Sequence, residues 1–223
     1  MKLISSMAAK DFLFDIAKQY EGETGNTVSV ATAGGVEVIR RMKAGEATDA
    51  VVLSAEQIDQ LIADGRVVAG SRVDLVKSGV AVAVRKGAAR HDISSEAAVK
   101  KAVLGSKSIG YSTGPSGVYL ERILAQWDPD ARVKRVQAPP GVPVGSLVAR
   151  GEVELGFQQL SELIHLQGVE VLGPLPAEIQ LWTIFSGGVS VTSSQAQAVR
   201  AALAYMASPA ALEAKRRNGL NPA

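Results

Sequence analysis

Residues 27–65, TVSVATAGGVEVIRRMKAGEATDAVVLSAEQIDQLIADG, contain two complete passes of one pattern. Thr27–Thr32 (TVSVAT) is a short run rich in β-branched residues and predicts a strand. Val36–Lys43 follows as a basic helix that Gly45 ends. Ala50–Leu53 (AVVL) is apolar without interruption, as in a strand buried on both faces, and Ala55–Ala63 predicts a second helix ending at Gly65. Strand, helix, strand, helix at this spacing specifies a parallel sheet with covered faces, hence an α/β fold.

The pattern extends in both directions. Upstream, Lys2–Ile4 reads as a strand, and Phe12, Leu13, Ile16, Ala17 and Tyr20 recur at helical spacing across Asp11–Tyr20, with Gly22 and Gly25 closing that helix. Downstream, Gly79–Arg85 (GVAVAVR) predicts a longer outgoing strand. A second set of elements follows. Helices are expected over Ser95–Leu104, Ser116–Gln126, Val144–Arg150 and Leu160–Leu166, interleaved with strands at Ser108–Tyr111, Val133–Gln137, Glu154–Phe157 and Val169–Leu172. After the Pro-rich stretch Gly173–Pro176, two return strands are expected at Leu181–Phe185 and Gly188–Val191, then helices at Ser194–Ala207 and Pro209–Arg217. The expected organisation is two lobes, residues 1–80 with 182–223 and residues 81–181, each a mostly parallel sheet flanked by helices. Two crossovers, near Gly79–Ala83 and Leu181–Phe185, would join them; a single doubly wound sheet is the alternative.

Composition removes several function classes. The 223 residues are 47% hydrophobic and 21% charged, the balance of a chain that buries a core. A net charge of +2 and 4% aromatic residues give neither a phosphate-binding patch nor a stacking platform, so no nucleic-acid partner is expected. With no cysteine, thiol catalysis and thiolate metal sites drop out. The two histidines, His91 and His165, are far apart and lack carboxylates at ligand spacing; no metal or other cofactor is expected. No phosphate loop, dinucleotide fingerprint or nucleophile elbow is present. No stretch reaches the ~18 apolar residues that a membrane span needs. Met1-Lys2 runs into Leu3-Ile4-Ser5-Ser6 without the pattern of a secretory leader, so the sequence as it stands predicts a cytoplasmic protein, or a periplasmic one if a leader has been removed.

In parallel sheets, ligands bind beyond the carboxyl ends of strands, where loops enter helices. Four such junctions carry glycine or serine: Ser5-Ser6-Met7-Ala8 leading to Lys10, Ala33-Gly34-Gly35 leading to Glu37, Ser112-Thr113-Gly114-Pro115-Ser116-Gly117, and Gly141-Val142 leading to Val144. Small side chains let backbone N–H groups approach an anion, and the helix dipole adds to the attraction. The expected ligand is therefore a small anion.

The same loops carry a resemblance. Phe14-Asp15-Ile16-Ala17-Lys18-Gln19-Tyr20 before Thr24-Gly25, Ala44-Gly45-Glu46-Ala47-Thr48-Asp49 before Val51-Val52-Leu53-Ser54-Ala55, Gly114-Pro115-Ser116-Gly117-Val118-Tyr119, and Arg150-Gly151-Glu152-Val153-Glu154-Leu155-Gly156 resemble, in order and nearly end to end, the periplasmic molybdate-binding proteins of ABC importers and the related aconitate isomerase. The resemblance implies the two-lobed type II periplasmic-binding-protein fold, hinge closure over the ligand, and an ABC permease as partner if the chain is exported. It also places that family's ligand-contacting side chains near Ala8, Gly35 and Gln159, beside Gln158, with Ser5, Ser6, Met7 and Gly34 as neighbouring candidates. Backbone donors around Ser116 and around Gly141–Val142 carry over. Loss of two hydroxyls makes a carboxylate a better expectation than molybdate. The first functional reading is a solute-binding protein for a di- or tricarboxylate or an oxyanion. The second is an isomerase of the aconitate type, for which Lys10 and Glu37 are the candidate acid/base groups, Glu162 a further one, and Arg40 a carboxylate partner.

Overall fold

The computed structural model describes residues 1–223. Along the chain the elements are β1 (Lys2–Ser6), α1 (Lys10–Thr24), β2 (Ser29–Ala33), α2 (Gly35–Lys43), β3 (Ala50–Ser54), α3 (Ala55–Ala63), β4 (Val73–Arg85), α4 (Glu96–Gly105), β5 (Ser108–Tyr111) and α5 (Pro115–Trp127). They continue as β6 (Lys134–Gln137), α6 (Val144–Ala149), β7 (Leu155–Gln159), α7 (Leu160–Leu163), β8 (Val169–Pro174), β9 (Trp182–Val189), α8 (Ala196–Ala207), α9 (Leu212–Arg217) and β10 (Asn221–Pro222). Short 3-10 turns occupy Met7–Ala9, Ala177–Ile179 and Pro209–Ala211. The chain divides into two units, Met1–Ser78 with Thr183–Ala223, and Gly79–Trp182.

In the first unit the strand order is β2-β1-β3-β9-β4, and β10 pairs antiparallel with β4. β1 is parallel to both β2 and β3, whereas β9 is antiparallel to β3. The apolar run of β3 is explained by its two covered faces. Ala50 and Val52 pack with Phe12, Leu13 and Ile16 of α1 and Leu203 of α8, while Val51 and Leu53 pack with Val38 of α2 and Ile58 of α3. Successive residues of a strand point to opposite faces, so a sheet with helices on both sides needs an unbroken apolar stretch.

The two return strands expected at Leu181–Phe185 and Gly188–Val191 are one strand, β9, which runs through Ser186 and Gly187 without a break. A Cβ on Gly187 would lie 2.4 Å from Leu203 Cδ2, and one on Gly188 would lie 2.6 Å from Val67 Cγ1. Here glycine permits close packing within a strand rather than a turn. β4 likewise begins at Val73, well before the expected Gly79, because Val73–Ser78 serves the first unit and the rest serves the second. The helix expected over Leu160–Leu166 stops at Leu163, so His165 lies beyond it, and the last expected helix is a 3-10 turn followed by α9.

In the second unit β7, β5 and β6 are parallel neighbours, and β4 pairs antiparallel with β7 and with β8. Val80, Val82 and Val84 face Val99, Val103, Leu120 and Leu124 of α4 and α5, and Ala81 and Ala83 pack with Leu163 of α7. Gly110 and Gly156 are register partners in β5 and β7. A Cβ on Gly110 would come within 3.1 Å of Val144 Cγ1, and one on Gly156 within 2.5 Å of Val148 Cγ2. This paired gap lets α6 settle close on the sheet and fixes where its first turn starts.

The edge of this unit has a side-chain staple. Gln180 Oε1 accepts the Val80 N–H at 2.8 Å, and Gln180 Nε2 donates to the carbonyls of Val80 and Leu175, both at 3.1 Å. Gln180→Leu removes these bonds and is expected to lower stability by about 1–2 kcal/mol. A fall in the urea midpoint checks this; an unchanged midpoint would show that the staple contributes nothing. No helix is long and apolar enough to cross a membrane.

Candidate functional site

In the first unit the parallel register sets three strand ends along one edge. Ser6 pairs with Ala33, and Ser5 with Val52, so the ends of β1, β2 and β3 lead side by side into α1, α2 and α3. The two serines of β1 differ. Ser5 is fully buried and its hydroxyl donates to the Ser6 carbonyl at 3.0 Å. Ser6 is 8% exposed, and its Oγ has no hydrogen-bond partner. A buried hydroxyl left without a partner costs about 1–3 kcal/mol, so its retention beside a helix start needs a reason.

Gly34 begins α2 with no side-chain cap, and its carbonyl accepts from Val38 N–H at 3.0 Å. A Cβ on Gly35 would make ordinary contact with the Gln57 amide at 3.5 Å. Gln57 Oε1 in turn accepts from the Ser54 N–H at 3.4 Å, which fixes the start of α3. Ser54 and Gln57 belong to this edge and were absent from the expected site. Their Ser-x-x-Gln spacing before an apolar helix is the signal that reveals them. Met7 is half-buried, while Ala8 turns into the core among the residues packed on α1.

The charged candidates nearby are engaged or exposed. Glu37 forms a bidentate pair with Arg40, 2.7 Å to both Nε and Nη2. That pairing holds the Glu37 carboxyl below the usual carboxylate range, which makes it a poor proton acceptor, and it occupies the guanidinium that was expected to bind a ligand carboxylate. Lys10 opens α1 with its Nζ 4.0 Å from the Asp11 carboxylate and its side chain 40% exposed. A hollow of about 450 Å³, lined by Met1, Lys2, Thr27, Asp49 and Gln195 among others, lies at the opposite strand ends, away from the starts of α1, α2 and α3 and beside the start of α8.

In the second unit the ends of β5, β6 and β7 share an edge, with Tyr111 in register with both Gln137 and Phe157. Ser112 organises the loop after β5: its Oγ accepts from the Gly114 N–H at 3.2 Å and lies 3.2 Å from Ser116 Oγ. Thr113 is half-buried in that loop. Pro115 has no N–H, and the N–H groups of Gly117 and Val118 both turn back to the Gly114 carbonyl. Ser116 therefore contributes the N–H in the first turn of α5 that has no backbone acceptor. A Cβ on Gly117 would fall 1.7 Å from the Ser112 carbonyl oxygen.

The next loop differs from expectation. Gly141 takes φ 79°, and the Val142 N–H donates to the Pro139 carbonyl at 3.0 Å, so this donor is spent inside a turn. Gln158 is buried, and its Oε1 accepts from the Val144 N–H at 2.8 Å, capping α6. The Gln158 Nε2 donates to Glu162 Oε1 at 2.9 Å. Gln159 is buried where α7 starts.

Glu162 has no ion-pair partner. Burial pushes its carboxyl up to about 7, and the Gln158 hydrogen bond opposes that rise. Part of the residue still reaches solvent. With a folded value above the unfolded one, the protonated carboxyl stabilises the fold at acidic pH, and that contribution is lost as pH rises through about 7. Urea midpoints between pH 5 and 8.5 are thus expected to fall more steeply for the native chain than for Glu162→Gln. Parallel curves would contradict the shift. No group of three His, Cys, Asp or Glu side chains is positioned to hold a metal ion.

Parallel strands whose ends feed helix N-termini, repeated in two units joined by two chain crossings, define the mixed α/β class of the periplasmic binding proteins. A family model described as bacterial extracellular solute-binding protein matches residues 1–221, and the chain belongs to that family. It is 38% identical over 230 aligned positions to an aconitate isomerase of a Pseudomonas species, covering 100% of this chain and 87% of that protein. Among solved structures it resembles the Azotobacter vinelandii periplasmic molybdate-binding protein, with TM-score 0.80 and 19% identity over 99% of this chain and 98% of that one. It also resembles a tungstate-binding protein of Desulfovibrio alaskensis, with TM-score 0.65 and 14% identity over 96% and 92%. Similarity at these identities speaks to the fold and leaves the ligand to the site.

Proposed function

We propose that this chain binds a small tricarboxylate anion of the aconitate type and interconverts its cis and trans forms by an allylic proton shift. One observation carries the anion part: the Ser6 hydroxyl is buried and unpartnered at the strand end leading into α1, where a carboxylate oxygen would satisfy it. The uncapped start of α2 at Gly34, along the same edge of this unit, adds donors of the same kind. Supporting a carboxylate over a tetrahedral metal oxyanion is the 38% identity to an aconitate isomerase along the whole chain, twice that to the molybdate-binding protein.

A second reading, capture of the carboxylate without chemistry, is favoured by membership of a family described as extracellular solute-binding proteins. Proton NMR of trans-aconitate incubated with micromolar protein separates the two. Appearance of the cis isomer supports the isomerase; a thermal shift with aconitate and no conversion supports capture. A shift with molybdate or tungstate but with neither aconitate nor citrate would overturn the carboxylate assignment.

A further inference from the structure

We propose that Glu162 is the catalytic acid/base of this shift, the carboxyl that removes a proton from the substrate methylene and returns one to the far alkene carbon. This inference rests on the isomerase reading above. It starts from a cluster of groups at one end of the second unit's parallel strands. Gln158, at the end of β7, is held at its Oε1 by the Val144 N–H of α6, and its amide nitrogen holds Glu162 Oε1. With one amide end fixed by backbone, the other can only donate, so the glutamine orients the carboxyl and leaves its second oxygen uncommitted.

The elements around α7 bring no ion pair to this carboxyl, and His165, three residues further along, is exposed. α7 packs against β7, α6 and β8. β7 (LGFQQ) and α6 (VGSLVA) carry no titratable group, and Glu170 of β8 is bound to Arg90. β4 also packs on α7, through Ala81 and Ala83, while its Arg85 pairs with Val169 at the far end of the ladder from Val80 and Gln159. A carboxyl with no cation beside it, its value pushed up by burial to about 7, is divided between base and acid at neutral pH, which is what a group that both takes and gives a proton requires. The other candidates lack this: Glu37 is tied to Arg40, and Lys10 is an exposed cation beside Asp11.

The step balances without a cofactor. The methylene C–H bond breaks, its proton goes to Glu162, and its electron pair forms the new C=C bond. The former π pair takes a proton from Glu162 at the distal carbon. Charge developing on the adjacent carboxylate is met by donors at the same strand ends of this unit, such as the Ser116 N–H. Carbon is neither oxidised nor reduced overall.

Glu162→Gln keeps the shape and tests the role. Conversion of trans-aconitate is expected to fall by about 100-fold or more, and exchange of substrate hydrogens with deuterated solvent should disappear, while trans-aconitate still raises the melting midpoint. A native chain that converts substrate, with Glu162→Gln within about threefold of it, would overturn the assignment of Glu162 alone. A native chain that binds aconitate without converting it would overturn the isomerase reading and this inference with it. Loss of both conversion and the thermal shift in a folded Glu162→Gln would make the residue a binding group and overturn its proton role. Should that variant fail to fold, the native pH profile decides: a limb in kcat/KM with a midpoint near 7 is expected, and a flat profile from pH 5.5 to 8.5 is incompatible with the proposal.

Discussion

Gly117→Ala is expected to lower the melting midpoint by about 4–8 °C and to abolish the response to a carboxylate ligand. The added Cβ would sit 1.7 Å from the Ser112 carbonyl oxygen, 2.6 Å from its carbon and 3.2 Å from its nitrogen. All three are backbone atoms, so no rotamer change relieves the clash; either α5 moves or the turn after β5 opens. Opening that turn breaks the Ser112 contacts to Gly114 and Ser116 and displaces the Ser116 N–H. Overpacking typically costs 1–3 kcal/mol, and a backbone obstacle puts this case at about 3. The intrinsic preference of helices for alanine over glycine, about 1 kcal/mol, opposes it only in part. At roughly 2–4 °C per kcal/mol for a chain of this length, the midpoint falls as stated. Gly35→Ala is the comparison, because its Cβ would meet atoms at 3.5 Å and beyond. It should leave the midpoint within about 2 °C. Equal midpoints for Gly117→Ala and the native protein would show that the loop after β5 yields freely.

Gly117 also illustrates what the sequence conveys. Its place in Gly114-Pro115-Ser116-Gly117 marks a loop entering a helix, but nothing in that string says that Ser112 presses against it. The parallel sheets were legible because strand burial imprints directly on composition: Ala50–Leu53 is apolar on both faces because both faces are covered. Errors arose where a residue has two physical uses. A break was expected between Phe185 and Gly188, yet β9 is continuous there, and Gly187 and Gly188 make room for Leu203 and Val67. Site residues were legible as loop positions, not as states. The Glu37–Arg40 pair lies at helical i, i+3 spacing and could have been read from the sequence. The capping of Val144 by Gln158, fourteen residues later, could not, because it depends on how far α6 sinks onto Gly110 and Gly156.

Ser6→Ala is expected to move stability and binding in opposite directions. Without ligand, the Ser6 hydroxyl is buried and makes no hydrogen bond, so removing it should raise stability, by about 1 kcal/mol from the low end of the cost of an unsatisfied polar group. The midpoint would rise by about 2–4 °C. With a carboxylate bound, the same change removes a hydrogen bond to a charged acceptor, worth about 1.5–3 kcal/mol, so the dissociation constant for trans-aconitate should rise about 10- to 150-fold. Ser5→Ala is the counterpart one residue earlier. Its hydroxyl already donates to the Ser6 carbonyl, so that variant should lose about 1 kcal/mol of stability and bind nearly as the native protein does. Calorimetry on the two variants, with and without ligand, reads all four quantities. A purely structural role for Ser6 would give two destabilised variants of unchanged affinity, whereas a ligand-facing hydroxyl separates the adjacent serines in sign.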